Sequence, residues 1–119
     1  AAASLGEQID AETVYSVVGR ANPVDVQDMI KLALKGDFME ARDKLREMIV
    51  KYGVAGSDII RQIHIEIFRS ALPDKWKVKL ADAIGEIDFR MSQGSSEEVQ
   101  LSALLARLGE AGLEIQSGG

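Results

Sequence analysis

Few residues of this chain have the chemistry or the spacing of a catalytic site. The 119 residues include no cysteine and a single histidine, His64, which excludes a thiol nucleophile and a histidine-rich metal site. Histidine is the side chain best suited to proton transfer at neutral pH, so an acid–base enzyme built on this chain would need His64. It lies in an isoleucine-rich helical segment, where a hydrogen-bonded histidine in the interior or at its rim is the commoner role. A small helical enzyme that uses His64 is therefore a hypothesis, but not the favoured one.

Carboxylates are the second group that could do chemistry, as an acid and base pair or as ligands of Mg²⁺. Those considered are Glu66, Glu86, Asp88, Glu97 and Glu98. They fall on the outer faces or in the first turns of predicted helices, where acidic residues interact favourably with the helix dipole. The sequence contains no Glu-x-x-His pair and no GxxxxGK[ST], GxGxxG or HExxH motif. It therefore predicts no phosphate-binding loop and no metal site.

The charge balance argues against nucleic acid as the direct partner. The formal net charge is −5, and an acidic molecule repels phosphate backbones unless its basic residues form one patch. Lys75, Lys77 and Lys79 alternate along a predicted helix, which spreads their charge around it. A helix-turn-helix at residues 58–92 is disfavoured too, because its recognition helix would carry Asp82, Glu86 and Asp88.

Apolar residues recur three and four positions apart throughout, without the alternation of strands, so we predict an all-α fold, a compact bundle of about five to six helices. No apolar run approaches about 20 residues, and the first residues lack a signal-peptide pattern. We expect an intracellular protein that does not span a membrane.

Capping and turn residues divide the chain into six predicted helices. These run after Asp10 to Gly19, from Asn22 to Gly36, from Asp37 to Gly53, from Ser57 to Pro73, from Asp74 to about Ser92 and from Ser95 to Leu108.

Four finer predictions follow from these segments. Asp37 with Glu40, and Ser95 with Glu98, have the spacing of capping boxes. The helix after Ser57 has isoleucines on more than one face, which places it in the middle of the bundle. Gly85 lies inside a helix, where glycine costs about 1 kcal/mol relative to alanine, so we expect another helix to approach closely there. After Leu108, the sequence GEAGLEIQSGG lacks an apolar stripe and predicts a flexible tail.

Three strings, in order, resemble one known family. They are DAETVYSVVGRANPVDV, IKLALKGDFMEARDKLREMIVKYGVAGSDIIRQIHIEIF and LADAIGEIDFRMSQGSSEEVQLSALLARL, which together cover most of residues 10–108. The most specific features are the run from AL-x-G-x-F to D-I-x-x-Q-I-H and the closing E-x-D-[FY]-R with its small-residue turn and E-x-x-Q-L. The chain resembles the C-terminal collar domain of the small subunit of replication factor C, the clamp loader, of the archaeal type.

The resemblance implies an assembly role. Members of that family are AAA+ ATPases that load a sliding clamp onto primer-template DNA, and their C-terminal helical domains join the subunits into a ring. It divides this chain into residues 1–9, the end of a preceding lid domain, a collar domain at residues 10–108 and a C-terminal tail at residues 109–119. We expect no enzyme activity and no cofactor here, with ATP and Mg²⁺ in preceding domains. The implied partners are other small subunits and the large subunit, with the clamp and DNA reached through the other domains, and the location is cytoplasmic if the protein is archaeal.

A collar subunit has two different neighbours and must present two unlike faces. We predict that the polar hairpin at Glu86 to Leu108 forms one of them, through Asp88, Arg90, Gln93, Glu97 and Gln100. Ordinary surface and capping roles remain open for each of these residues. The competing function is a helical adaptor that binds peptides or proteins outside replication, which an apolar groove outside the core would favour.

Overall fold

The computed structural model describes residues 20–118. Residues 1–9 and the predicted helix after Asp10 to Gly19 lie outside these described residues. Within them the chain forms five α-helices and no strand: α1 (Pro23–Lys35), α2 (Phe38–Arg46), α3 (Gly56–Arg69), α4 (Asp74–Ser92) and α5 (Glu97–Gln116). The all-α prediction is confirmed. No helix of this part of the chain combines the length and the hydropathy that crossing a bilayer requires.

The first helix, α1, begins and ends as its sequence predicts. The Asn22 side chain accepts a hydrogen bond from the Val24 amide at 2.9 Å, and Pro23 occupies the first helical position. Gly36 has a φ of 100°, in the left-handed region that glycine adopts without a steric penalty. Its amide donates to the Ala33 carbonyl at 3.1 Å, and the next amide donates to the Leu32 carbonyl at 2.9 Å. These bonds close the helix and turn the chain directly into α2.

The second helix starts without the predicted capping box and changes its pitch before it ends. The Asp37 side chain makes no capping hydrogen bond and lies 3.6 Å from the Lys35 ammonium instead. After Arg46 the chain continues as a π-helical segment, Glu47–Lys51. Gly53, with a φ of 65°, then ends the helical path as predicted. Spacing alone does not reveal a π turn, because the apolar stripe continues through it.

The last helix occupies the middle of the bundle, and the prediction that the helix after Ser57 does so is wrong. α5 packs against α1, α2, α3 and α4, whereas α3 packs mainly against α1 and α4. One face of α3 is buried, but Ile65 and Phe68 on its other face remain 39% and 47% exposed. The core centre is formed by the leucines of α5, which are Leu101, Leu104, Leu105 and Leu108.

A glycine does permit a close helix–helix approach, but it is Gly112 and not Gly85. A Cβ atom added to Gly112 would lie 1.8 Å from the Leu34 carbonyl oxygen, so α5 passes directly against the backbone of α1. A Cβ added to Gly85 would meet no atom within 4 Å. The prediction for Gly85 is therefore wrong within the described chain, and the open space beside it needs another explanation.

The C-terminal residues are helical, so the prediction of a flexible tail after Leu108 is wrong. α5 continues to Gln116, and Ala111 and Gly112 are buried. Small residues pack here because α1 lies so close, and a stripe of alanine and glycine carries little hydrophobic signal in the sequence. Pro73 does end the segment before α4, and the buried face of that helix is formed by Trp76, Leu80, Ala83, Ile84 and Ile87.

Candidate functional site

The hairpin between α4 and α5 lies at one end of the bundle and is shaped by its own backbone. Gly94 has a φ of 98°, and the Ser95 amide donates to the Arg90 carbonyl at 3.1 Å. Ser96 is the residue that caps α5, since its hydroxyl accepts a hydrogen bond from the Val99 amide at 3.4 Å. The predicted capping box of Ser95 and Glu98 is therefore wrong by one residue at its start, and Glu98 has another role.

Glu98 joins α5 to α2. Its carboxylate lies 3.1 Å from the Arg42 guanidinium and 3.6 Å from that of Arg46. The side chains of Glu98 and Arg42 are each about one-third exposed, so the ion pairs are partly shielded from solvent. They fix the start of α5 against α2, and with it the position of the hairpin.

The five predicted interface residues all lie on this hairpin and the helix ends beside it. Asp88, Arg90 and Gln93 are exposed, whereas Glu97 and Gln100 are half-buried. Arg90 pairs with Glu86 one turn earlier on α4. The Glu97 side chain covers Gly56, where an added Cβ would lie 2.8 Å from the Glu97 carboxyl carbon. Glu97 thus has a packing role inside the chain, and the assignment of the five residues to an interface stays a prediction.

Sequence reasoning missed two apolar residues beside these polar ones. Phe89 is 64% exposed on α4, and Val99 is 63% exposed on α5. Single exposed apolar residues are common on protein surfaces, so these two residues do not by themselves mark an interface. The signal was present in the spacing, because both residues lie opposite the buried stripe of their helix.

Within residues 20–118, His64 is neither buried nor bonded to the backbone. It is exposed, and its ring packs against Phe68 in a tilted arrangement, with 4.8 Å between centroids and 53° between the ring planes. A groove of about 320 Å³ between α3 and α4 brings it near Ser57, Arg61 and Asp88. Ser57 and His64 are seven residues apart on one helix, about 10 Å of rise, which is too far for a direct hydrogen bond. The groove therefore lacks the contact that would activate a serine nucleophile.

Among the other carboxylates considered for chemistry, Glu66 has structural partners. Glu66 accepts hydrogen bonds from the Gln27 and Gln62 side-chain amides at 3.1 and 2.7 Å, and its side chain is 9% exposed. It ties α3 to α1. In residues 20–118, no three histidine, cysteine, aspartate or glutamate side chains lie close enough to hold a metal ion.

The three alternating lysines point to different partners. Lys75 pairs with Glu114 at 3.3 Å, Lys77 donates to the Phe68 carbonyl at 3.4 Å, and Lys79 lies over the Trp76 ring, 4.8 Å from its centroid. They do not form one basic patch, which agrees with the prediction that their charge is spread around the helix.

Comparison with known proteins gives the family. The sequence profile of the Replication factor C C-terminal domain matches residues 21–107. The Replication factor C small subunit of Staphylothermus marinus is 47% identical over 118 residues, 98% of this chain and 36% of the relative. The small subunit of Sulfolobus acidocaldarius is 49% identical over 109 residues, covering 90% of this chain and 34% of the relative. That of Archaeoglobus fulgidus is 45% identical over 107 residues, covering 90% and 34%.

The matched region contains every helix start from α1 to α5 and the whole hairpin. The chain spans about a third of the length of these curated relatives. The chain belongs to the Replication factor C C-terminal domain family and is similar to the small subunits of archaeal Replication factor C.

Proposed function

We propose that this chain is the collar domain of a clamp loader small subunit, which joins neighbouring subunits into the ring that loads a sliding clamp onto primer-template DNA. The match to the C-terminal domain of the family carries this proposal. The ring partners are other small subunits and the large subunit. The clamp and DNA are bound by other domains of the assembled protein, and the assembly works inside the cell, in the cytoplasm if the protein is archaeal.

The domain acts by binding and has no enzyme activity of its own. The matched region is the C-terminal domain of the family, and the sequence has no phosphate-binding loop. ATP and Mg²⁺ belong to the preceding domains of the subunit. Purified chain should show no ATP turnover, and turnover abolished by His64→Ala would overturn this proposal.

The hairpin supplies one assembly face in this proposal. Asp88 and Arg90 are exposed near its start, and neither belongs to the buried stripe of α4. Replacing both with alanine should therefore leave the fold intact and weaken assembly. Removing one partner of a charged pair that is buried at an interface costs about 2–5 kcal/mol of binding free energy. Removing an exposed pair costs about 0–1 kcal/mol.

A chimaeric subunit tests whether this hairpin is an assembly face. The chain replaces the C-terminal third of the Staphylothermus marinus small subunit, and light scattering measures the mass of the assembly with and without the two substitutions. We expect the double variant to keep its melting temperature and to assemble less well at every concentration. An undiminished ring would show that the hairpin is not the interface and would turn attention to α1 and α2.

The adaptor hypothesis is supported by one observation. An apolar groove of about 390 Å³ lies outside the core, between the end of α1, the start of α2 and the second half of α5. The family membership favours a use of this groove within the clamp loader over an adaptor unrelated to replication.

A further inference from the structure

The hairpin between α4 and α5 is not held in place by the core. No residue in the range 88–100 is fully buried, and the core resumes only at Ile87 on α4 and Leu101 on α5. Met91 packs against the core only in part. The backbone bonds of the turn set its internal shape, but they do not set its direction relative to α2 and α3. Contacts other than apolar burial must therefore fix that direction.

The first such contact is ionic. The Glu98 carboxylate lies 3.1 Å from the Arg42 guanidinium and 3.6 Å from that of Arg46. The two arginines are one turn apart on α2, so both reach the same carboxylate. Within residues 20–118 neither arginine pairs with any other carboxylate. The ionic contact between the start of α5 and α2 therefore depends on Glu98 alone.

The second contact is made by the preceding residue, through packing. Glu97 lies over Gly56, the first residue of α3. A Cβ built on Gly56 would lie 2.8 Å from the Glu97 carboxyl carbon and 3.0 Å from its Cβ, closer than carbon atoms pack in proteins. The φ of Gly56 is not positive, so its backbone conformation does not require glycine. The space that Glu97 occupies explains the glycine instead.

We infer that Glu97 and Glu98 are positioning residues, which together hold the hairpin in the orientation that assembly uses. Consecutive residues of a helix point about 100° apart, so their contacts with α3 and α2 oppose tilting in two directions. The inference rests on the proposed function for the use of the hairpin. It gives Glu97 a role inside the chain in place of a contact with a neighbour, and leaves Asp88, Arg90 and Gln93 to meet that neighbour.

Charge reversal tests the ionic contact. Glu98→Arg brings a third positive charge to Arg42 and Arg46, and Arg42→Glu in the same chain restores one opposite pair. The side chains of Glu98 and Arg42 are each about one-third exposed, so neither reversal places a charge in the apolar core. Glu114→Arg is the matched control, because Glu114 joins the other end of α5 to Lys75 on α4 at 3.3 Å.

Amide hydrogen exchange in residues 93–100 measures how firmly the hairpin is held. We expect Glu98→Arg to speed this exchange by at least about tenfold, the added Arg42→Glu to return most of the protection, and the control to change nothing in this segment. Where the reversal unfolds the chain, Glu98→Gln provides the same test with a smaller change. Unchanged exchange in the Glu98 variants, or no recovery in the double variant, would overturn the ionic anchor.

A change of size tests the packing contact. Gly56→Ala puts a methyl group where Glu97 lies, so exchange in residues 93–100 should become faster. Adding Glu97→Ala removes the two side-chain carbons nearest that methyl group, and the exchange should slow again. Gly85→Ala is the matched control, because a Cβ built there meets no packed neighbour within 4 Å in the described chain. Exchange in Gly56→Ala equal to that of the unsubstituted chain would exclude Glu97 as an anchor.

Assembly of the chimaeric subunit separates positioning from direct contact with a neighbour. Glu98→Arg should lower the assembled fraction and Arg42→Glu should restore it, since the restored pair lies within one chain. Restored hairpin protection without restored assembly would show that Glu98 meets the neighbour itself, and would overturn the positioning role. An unsubstituted chimaera that does not assemble would overturn the proposed function and this use of the hairpin, whereas the exchange measurements decide the two anchors independently.

Discussion

At the scale of single residues, Gly112 is the position where an added methyl group conflicts most strongly with the packing of α5 on α1. Gly112→Ala should destabilise the chain by about 2–3 kcal/mol, because the Leu34 carbonyl occupies the space that the new Cβ needs. Urea unfolding followed by circular dichroism measures the change.

Gly85→Ala is the matched control for this prediction. In the described part of the chain, a Cβ built on Gly85 would meet no packed neighbour within 4 Å, so alanine should raise the free energy of unfolding by up to about 1 kcal/mol through helix propensity. Equal effects of the two substitutions would contradict the assignment of the close approach to Gly112.

The two glycines also show what the sequence could and could not reveal at this scale. Both stand inside helical segments, and the sequence alone suggested a close approach at Gly85. The choice between them depends on where α1 lies relative to α5, which is a property of the tertiary structure. Asn22 and Gly36 were predicted correctly because their roles depend on local backbone geometry alone.

At the scale of helices, the second half of α5 is an integral part of the fold. Deleting residues 109–119 removes the buried Ala111 and the contact of Gly112 with α1. We expect a loss of at least about 2 kcal/mol in unfolding free energy from the exposed apolar surface. Deleting residues 117–119 alone should change little, since these residues follow the helix.

Amide hydrogen exchange checks the same point without a deletion. Residues 109–116 should exchange slowly, at rates similar to those of the first half of α5. Rapid exchange throughout this segment would support a flexible tail and contradict the helix.

The helices were predictable to the extent that large apolar residues mark them. Leucines and isoleucines identify α3, α4 and the first half of α5, although only one face of α3 is buried where its isoleucines suggested more than one. The second half of α5 escaped prediction because alanine and glycine form its contact surface. The Glu98 contacts with Arg42 and Arg46 escaped it because they join helices that are distant in sequence.

At the scale of the whole molecule, the acidic charge and the dispersed lysines oppose direct binding of DNA. The isolated chain should bind duplex or primer-template DNA weakly, with an affinity that falls further as salt is raised. Fluorescence anisotropy with labelled DNA at about 0.15 M salt measures this. Submicromolar, sequence-specific binding would contradict the distribution of charge and revive the helix-turn-helix hypothesis.

The hairpin residues illustrate the limit of prediction at this scale. Their polarity and position are evident in the sequence, but which of them contact a neighbour depends on a second molecule. The exposure of Phe89 follows from its spacing, but the groove between α1, α2 and α5 became visible only in the tertiary structure, because its walls come from three helices.

The most direct test of the collar role compares three forms of the Staphylothermus marinus small subunit: intact, without its C-terminal third, and with that third replaced by this chain. Light scattering measures the mass of each assembly with and without ATP. We predict that the truncated form stays monomeric and that the replacement restores the ring under both conditions, since the proposed contacts lie in a domain whose sequence has no phosphate-binding loop. A truncated form that assembles fully, or a folded replacement that stays monomeric, would contradict the account.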